Sequence, residues 1–309
     1  MFTLAHLSDP HLSPLPRPAP MQLMSKRILG FLSWTYRRKG VHDRAVLDAL
    51  AADLARTAPD HVAITGDLVN ISLPDEFQQA ARWLRRLGPA NSVTVIPGNH
   101  DAYVAVPWSQ AAGLWSDYMA GSSPNGSAVE VAPAAEDDFP FVRRRGPLAL
   151  VGVSTACPMP PHSAAGRLGP RQLAALGDRL IELGREKLFR VVLIHHPPFD
   201  AKGQHRKRLI DSAAFREVVG SAGAALVLHA HPHRAGLAKL ATPAGHAPVI
   251  GVPSASARAD HGGKDHSQYN LYRVDRAGSG WRVEVEVRGV TQALDRFVSE
   301  GRFTLAVPQ

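Results

Sequence analysis

Seven residues of metal-ligating type stand just beyond five short apolar runs in this chain. Asp9 and His11 follow the run at 2–7, and Asp67 follows the one at 61–65. Asn99 follows the run at 93–96, with His100 and Asp101 directly after it. His195 follows 191–194, and His231 and His233 follow 224–228. Mixed carboxylate, amide and imidazole donors without thiolate suit Mn²⁺, iron or Zn²⁺ and not an iron–sulfur cluster. Seven donors are too many for one first-row ion but suit two ions sharing a carboxylate. Two ions about 3.5–4 Å apart clamp the attacking and leaving oxygens of an in-line phosphoryl displacement and acidify bound water. The expected chemistry is hydrolysis of a phosphoester by attack of a metal-bridging hydroxide on phosphorus.

For these residues to converge, each run must be a strand. V-T-V-I at 93–96 is apolar or β-branched and is stopped by Pro97-Gly98. Alternate residues of an extended chain point the same way, so Asp9 and His11 face one centre. The strands alternate with helical patterns at 46–56, 76–87, 173–183 and 212–219, the mark of a sheet covered by helices. In such sheets ligands gather beyond the carboxyl ends of the strands. A glycine before Asp67 and another before Asn99 let the backbone pass close to the metals. The reading is a single domain over 1–309, with an insertion at 14–42, a lid-like loop region at 102–140 and closing strands in 249–309.

With 45% hydrophobic and 20% charged residues, the composition is that of an ordinary globular protein. Thirty-five Lys and Arg against 27 Asp and Glu give +8, so the surface attracts anions. Cys157 is the only cysteine, which excludes an intrachain disulfide and points to a reducing compartment. The start of the chain lacks signal-peptide character, and no apolar stretch reaches about 18 residues, so a cytoplasmic location is expected. In the insertion, Met21, Met24, Ile28 and Phe31 recur near helical spacing among Lys26, Arg27, Arg37, Arg38 and Lys39. Such a basic amphipathic helix either packs on its own domain or contacts an anionic membrane surface through 21–40, peripheral to its inner face. The basic clusters at 143–145 and 202–208 lack interleaved aromatics, so nucleic acid is not the expected partner. His229 reads as packing or orienting a ligand, while His261 and His266 sit in a Gly-rich loop and are read as solvated or, alternatively, as reaching the substrate.

The order Asp9-x-His11, Gly66-Asp67-x-x-Asn70, Gly98-Asn99-His100-Asp101, His195-x-Pro197, His231-x-His233 resembles the calcineurin-like metallophosphoesterases over residues 1 to about 234. The resemblance implies a four-layer αββα sandwich, two mixed β-sheets flanked by helices. It also implies two divalent ions, Mn²⁺, Fe²⁺/Fe³⁺ or Zn²⁺. Asp9, His11, Asp67 and His233 would hold one ion; Asp67, Asn99, His195 and His231 would hold the other. His100 would contact the phosphate and protonate or stabilise the leaving oxygen, with His196 and Arg206 as further substrate contacts.

Ala230 stands where the family usually has Gly. Asn70 replaces the second Asp of the Gly-Asp-x-x-Asp-Arg-Gly found in the protein phosphatases, which points away from that role. The residue orienting His100 is then Asn70 or Asp101. Gly-Asp-Leu-Val-Asn and Ile-His-His-Pro-Pro are most similar to the class III cyclic nucleotide phosphodiesterases, implying a small phosphodiester such as a 3′,5′-cyclic nucleotide. The insertion supplies an alternative, resembling the UDP-diacylglucosamine pyrophosphohydrolases, in which the substrate is a lipid-linked phosphate at a membrane surface.

Overall fold

The computed structural model describes residues 1–122, 130–199, 205–258 and 264–309. In chain order the elements are β1 (Phe2–Leu7), α1 (Arg27–Ser33), α2 (Arg44–Thr57), β2 (His61–Ile64), α3 (Pro74–Leu87) and β3 (Val93–Val95). A short pair, β4 (Gly121–Ser122) and β5 (Glu130–Val131), precedes β6 (Phe141–Arg145), β7 (Leu148–Gly152), α4 (Pro170–Arg185) and β8 (Phe189–Leu193). Then come α5 (Ser212–Ala222), β9 (Leu226–His229), β10 (Gly236–Thr242), β11 (Gly245–Gly251), β12 (Gln268–Ala277), β13 (Gly280–Val290) and β14 (Phe297–Val307).

One sheet has the order β14-β13-β12-β1-β2-β3 and the other β10-β11-β9-β8-β7-β6. Both are mixed. β1, β2 and β3 run parallel, with β12 antiparallel beside β1. In the second sheet β7, β8, β9 and β11 run parallel, edged by antiparallel β6 and β10. Period-two alternation builds the layers. On β7, Leu148 and Leu150 enter the core shared with the first sheet, while Ala149 and Val151 enter the core under α4 and α5. β8 repeats the pattern, with Val191 and Leu193 on one side and Val192 on the other. The result is the expected αββα sandwich, with the carboxyl ends of the parallel strands at one edge.

Besides the short β4–β5 pair, β10 was not expected, and β14 was covered only by the general expectation of closing strands in 249–309. β10 and β14 are edge strands exposed over most of their length, so neither carries the one-sided apolar alternation that marks a half-buried strand. The 102–140 region also differs from a lid over part of its length. Trp115 is buried against Phe77, ring centroids 5.5 Å apart, and Ala112 and Met119 are buried beside it. Residues 123–129 lie outside the described part. The 143–145 cluster is taken up by the fold. Arg143 is buried and donates to the carbonyls of Val93, Asp117 and Tyr118, Arg144 pairs with Glu186, and Arg145 donates to the Asn91 carbonyl. Among the described residues no helix is long and apolar enough to cross a membrane.

α2, which carries the chain from the insertion back into the sheet, is fastened by a buried charge network. Asp53 accepts from Arg288 Nε at 2.6 Å and from the Tyr269 hydroxyl at 2.6 Å, and Arg288 also pairs with Glu286 at 2.8 Å. Breaking a buried ion pair by removing one partner strands the other charge. Asp53→Ala is therefore expected to cost about 3 kcal/mol, read as a lower urea midpoint at unchanged slope.

Candidate metal centre

The loops beyond β1, β2 and β9 hold shapes that short apolar strands do not impose by themselves. Asp9, His11, Asp67, His231 and His233 all have positive φ, between 37° and 72°. Non-glycine residues there are strained and persist only where the surroundings over-determine them. Asp101 supplies much of that constraint. Its carboxylate accepts the backbone N–H groups of Asp67, Leu68, Val69 and Gly98 at 2.8 to 3.1 Å. Glu76, fully buried at the start of α3, does the same for Asn70, Ile71 and Leu73. Gly66 and Gly98 pass so close that a Cβ on Gly66 would sit 2.5 Å from the Gly98 nitrogen. These glycines make room for each other's loops. Ala230 is outside the left-handed region, so its Cβ is tolerated where the family usually has Gly.

Held in this way, the seven strand-end residues converge. His11 and His195 donate through Nδ1 to the carbonyls of Val69 and Thr65, at 3.1 and 2.6 Å, which turns each Nε2 lone pair inward. Asp67 Oδ2 lies 3.8 Å from His11 Nε2 and 3.4 Å from His195 Nε2. Asp9 Oδ1 and His233 Nε2 are 3.1 Å apart on the His11 side, and Asn99 Oδ1 is 3.1 Å from His195 Nε2 on the other. His11 and His233 bring two ring nitrogens within 3.3 Å of each other. His231 Nε2 is buried with no hydrogen-bond partner among the described residues. Clustered inward lone pairs and an orphaned imidazole nitrogen fit divalent cations, and the thiolate-free donor set agrees. Asp67, His195 and His231 supply ligand atoms within 4.8 Å of one another, as do Asp67, His11 and His100.

The C-terminal end of the 14–42 insertion reaches this cluster. Arg38 Nη1 lies 3.3 Å from His100 Nε2, and His100 Nδ1 faces the Asn70 backbone carbonyl. A carbonyl only accepts, so Nδ1 carries the proton and Nε2 accepts from Arg38. His100 is thus oriented by the Asn70 main chain; the Asn70 amide donates to Leu12 O instead, and the Asp101 carboxylate accepts main-chain N–H groups. Burial and the Arg38 charge hold His100 down to about 4 against the pull of Asp67. Tyr103 stacks on His100 at 5.8 Å between centroids. His42, at the same end of the insertion just after Arg38, packs 4.6 Å from His11 and bonds Ser256 Oγ at 2.8 Å. Its ligand atom groups with those of His11 and His233. Lys264 Nζ stands 3.4 Å from His233 Nδ1.

Two expected substrate contacts stand apart from the converging donors. His196 is fully buried, with Nδ1 on the Thr155 hydroxyl at 2.7 Å and Nε2 on Ala164 O at 3.0 Å, so it has no nitrogen left for substrate. Its ring packs on His231 at 4.3 Å and positions it. Arg206 is exposed, and no hydrogen bond or ion pair joins its guanidinium to the cluster. His229 bonds its neighbour's carbonyl, as an orienting or packing residue would. His266 pairs with Glu300 at 2.7 Å, and His261 lies outside the described residues.

Two measurements test this centre. Asp101→Ala frees four backbone N–H groups around Asp67 and Gly98, so metal affinity should fall about 10–100-fold by equilibrium dialysis with elemental analysis. Burial disfavours a charged His195, yet Asp67, with Asp9, pushes it up to about 9. A metal must displace that proton, whereas His11 and His231, held well below their usual range by burial, are already neutral. Metal affinity should therefore rise about tenfold per pH unit from 7 to 9 and then level off. Titration calorimetry in buffers of different ionisation enthalpy should show roughly one proton released at neutral pH.

The family model of calcineurin-like phosphoesterases matches residues 2–235. Among solved structures, a dimetal phosphatase from Danio rerio superposes with a TM-score of 0.59 at 14% identity, covering 96% of this chain and 98% of that one. The purple acid phosphatase PPD1 of yellow lupin gives 0.60 at 11% identity, over 99% of this chain and 53% of that one. At these identities the superpositions speak for the fold alone. No curated protein sequence matches significantly. With the family model spanning the strands and loops that carry every one of the seven converging residues, the chain belongs to the calcineurin-like phosphoesterases.

Proposed function

We propose that this protein is a phosphodiesterase working with two divalent ions, with 3′,5′-cyclic nucleotides the first substrates to test. The observation that carries the reading is Asp67 Oδ2, set between His11 Nε2 and His195 Nε2 with further donors grouped on either side. Asp9, His11, Asp67 and His233 would hold one ion, and Asp67, Asn99, His195 and His231 the other. Such a pair, when bound, supplies hydroxide near neutral pH and offsets charge on phosphoryl oxygens.

The chain's own residues would do the rest. Arg38 aims an N–H fork at the face of the centre where His100 stands, which suits a phosphoryl oxygen. His100, fixed by Asn70 O and stacked on Tyr103, turns Nε2 toward the same place. When substrate draws Arg38 away, that nitrogen would be free to take a proton from solvent and then donate it to the leaving oxygen.

A second reading, hydrolysis of a lipid-linked phosphate, is favoured by one observation. The insertion that delivers Arg38 exposes large apolar side chains to solvent.

The test is Mn²⁺-dependent hydrolysis of bis(p-nitrophenyl) phosphate. Chelated protein should be inactive and regain activity with Mn²⁺, and Asn99→Ala and His100→Ala should each lose about 100-fold or more. Arg38→Ala should lose about 10–100-fold in kcat/KM, the worth of a charge-assisted contact. Metal-loaded protein that leaves the diester intact would overturn the proposal. Activity in hand, cyclic nucleotides are compared with lipid pyrophosphates.

A further inference from the structure

The insertion is apolar on two faces, and the domain uses only one. Its inner side is seated. Arg27 donates to the carbonyls of Ile71 and Ser72, Trp34 is buried, and Gly30 packs so tightly that a Cβ would lie 2.6 Å from Ile71. Phe31 and Tyr103 complete that contact. The outer side carries Met21, Met24, Ile28, Leu29, Leu32 and Tyr36, at 78, 80, 46, 41, 43 and 81% exposure. Steps of three and four residues put Ile28, Leu29 and Leu32 on one side of α1, and Met21, Met24 and Tyr36 are exposed just before and after it, so the exposure is continuous along the segment. Contiguous exposed apolar surface of this kind marks a docking site.

Charge decides what docks there. Between Pro10 and His42 the chain has six Lys and Arg and no Asp or Glu. Arg17, Arg37 and Lys39 are exposed at the two ends of the stripe. Large apolar side chains flanked by cations, with an amphipathic Tyr at one end, are the pattern of a helix lying in a lipid interface. A chain at +8 adds long-range attraction to an anionic surface. We propose that residues 20–39 dock this protein on an anionic lipid bilayer, apolar stripe inward and cations among the headgroups. The stripe continues directly into the turn that carries Arg38 to His100, so docking brings the centre to the headgroup layer. This attachment goes beyond the hydrolytic reading and stands or falls separately from it.

Vesicle flotation of the full-length, Mn²⁺-loaded protein tests it, using phosphatidylcholine vesicles with and without phosphatidylglycerol. Binding is expected only with phosphatidylglycerol and should weaken at high salt. The double variant Met24→Glu/Leu32→Glu replaces two exposed side chains and should reduce binding about tenfold or more. Arg37→Gln/Lys39→Gln should reduce it and flatten the salt dependence. Both variants should melt as the parent does and keep its rate on bis(p-nitrophenyl) phosphate, which separates loss of docking from loss of the enzyme. Parent protein that stays off anionic vesicles overturns the proposal. So does unchanged flotation of the Glu variant. Concentration-dependent dimers that the Glu variant abolishes, without flotation of the parent, would assign the stripe to a second copy instead.

Discussion

One buried carboxylate, Asp101, gathers the loops on which the centre depends. It receives four main-chain N–H groups, three from the loop beyond β2 and one from its own loop beyond β3. Charge-assisted bonds are stronger than neutral ones, and a buried N–H without a partner costs about 1–3 kcal/mol. The same loop is held from the other side by Glu76, and Gly66 and Gly98 give it the closeness that both carboxylates require. Against these ties stands the strain of positive φ at Asp67, with Asp9 and His11 similarly placed on the neighbouring loop. The loops beyond β1 and β2 also pair directly, His11 N to Asp67 O and Leu12 N to Leu68 O. Strain at one position is thus offset by bonds at its neighbours, and the ligand geometry belongs to the set and not to any single residue.

The insertion belongs to the centre as much as the strands do. It contributes Arg38 at one point and His42 at another, and between them it covers Ile71 and Tyr103. The tautomer of His100 follows from this packing. With Asn70 O taking the Nδ1 proton, Nε2 is an acceptor that Arg38 occupies. On the proposed function, a phosphoryl group entering there would compete for the same guanidinium, so that binding of substrate and release of His100 would be one event. The chemistry of His100 is therefore set partly by a segment that lies outside the strand-and-loop frame.

What could be read from the chain was what depends on period and order. Parallel strands put ligand-type residues at one edge, and that rule alone gathers Asp9, His11, Asp67, Asn99, His195, His231 and His233. The same rule, applied one residue further, would have turned His196 away from the centre, since neighbours on an extended chain point oppositely. Arg38 was harder. Within an amphipathic basic run it looks like a solvated charge, and only the seating of Gly30 and Trp34 carries it inward. His42 depends on Ser256, 214 residues away, and no local pattern encodes such a contact. The two glycines were legible as close approaches but not as approaches to each other. β10 escaped, and β14 was not read individually, because edge strands with wet faces have no alternation to read.

The division of the donors between the sheets carries a further consequence. Asp9, His11, Asp67 and Asn99 leave the first sheet, whereas His195, His231 and His233 leave the second. Contacts such as His195 to Asp67 or His233 to Asp9 are therefore contacts across the sandwich. Its length is fixed by the core between the sheets, where Leu7, Ile64, Leu193 and Leu228 are all fully buried. Interiors packed at crystal density deform little, so this core acts as a gauge for donor spacing. Metal coordination tolerates only a few tenths of an ångström. An enlarged or shrunken side chain between the sheets would move one half of the donors against the other without touching either.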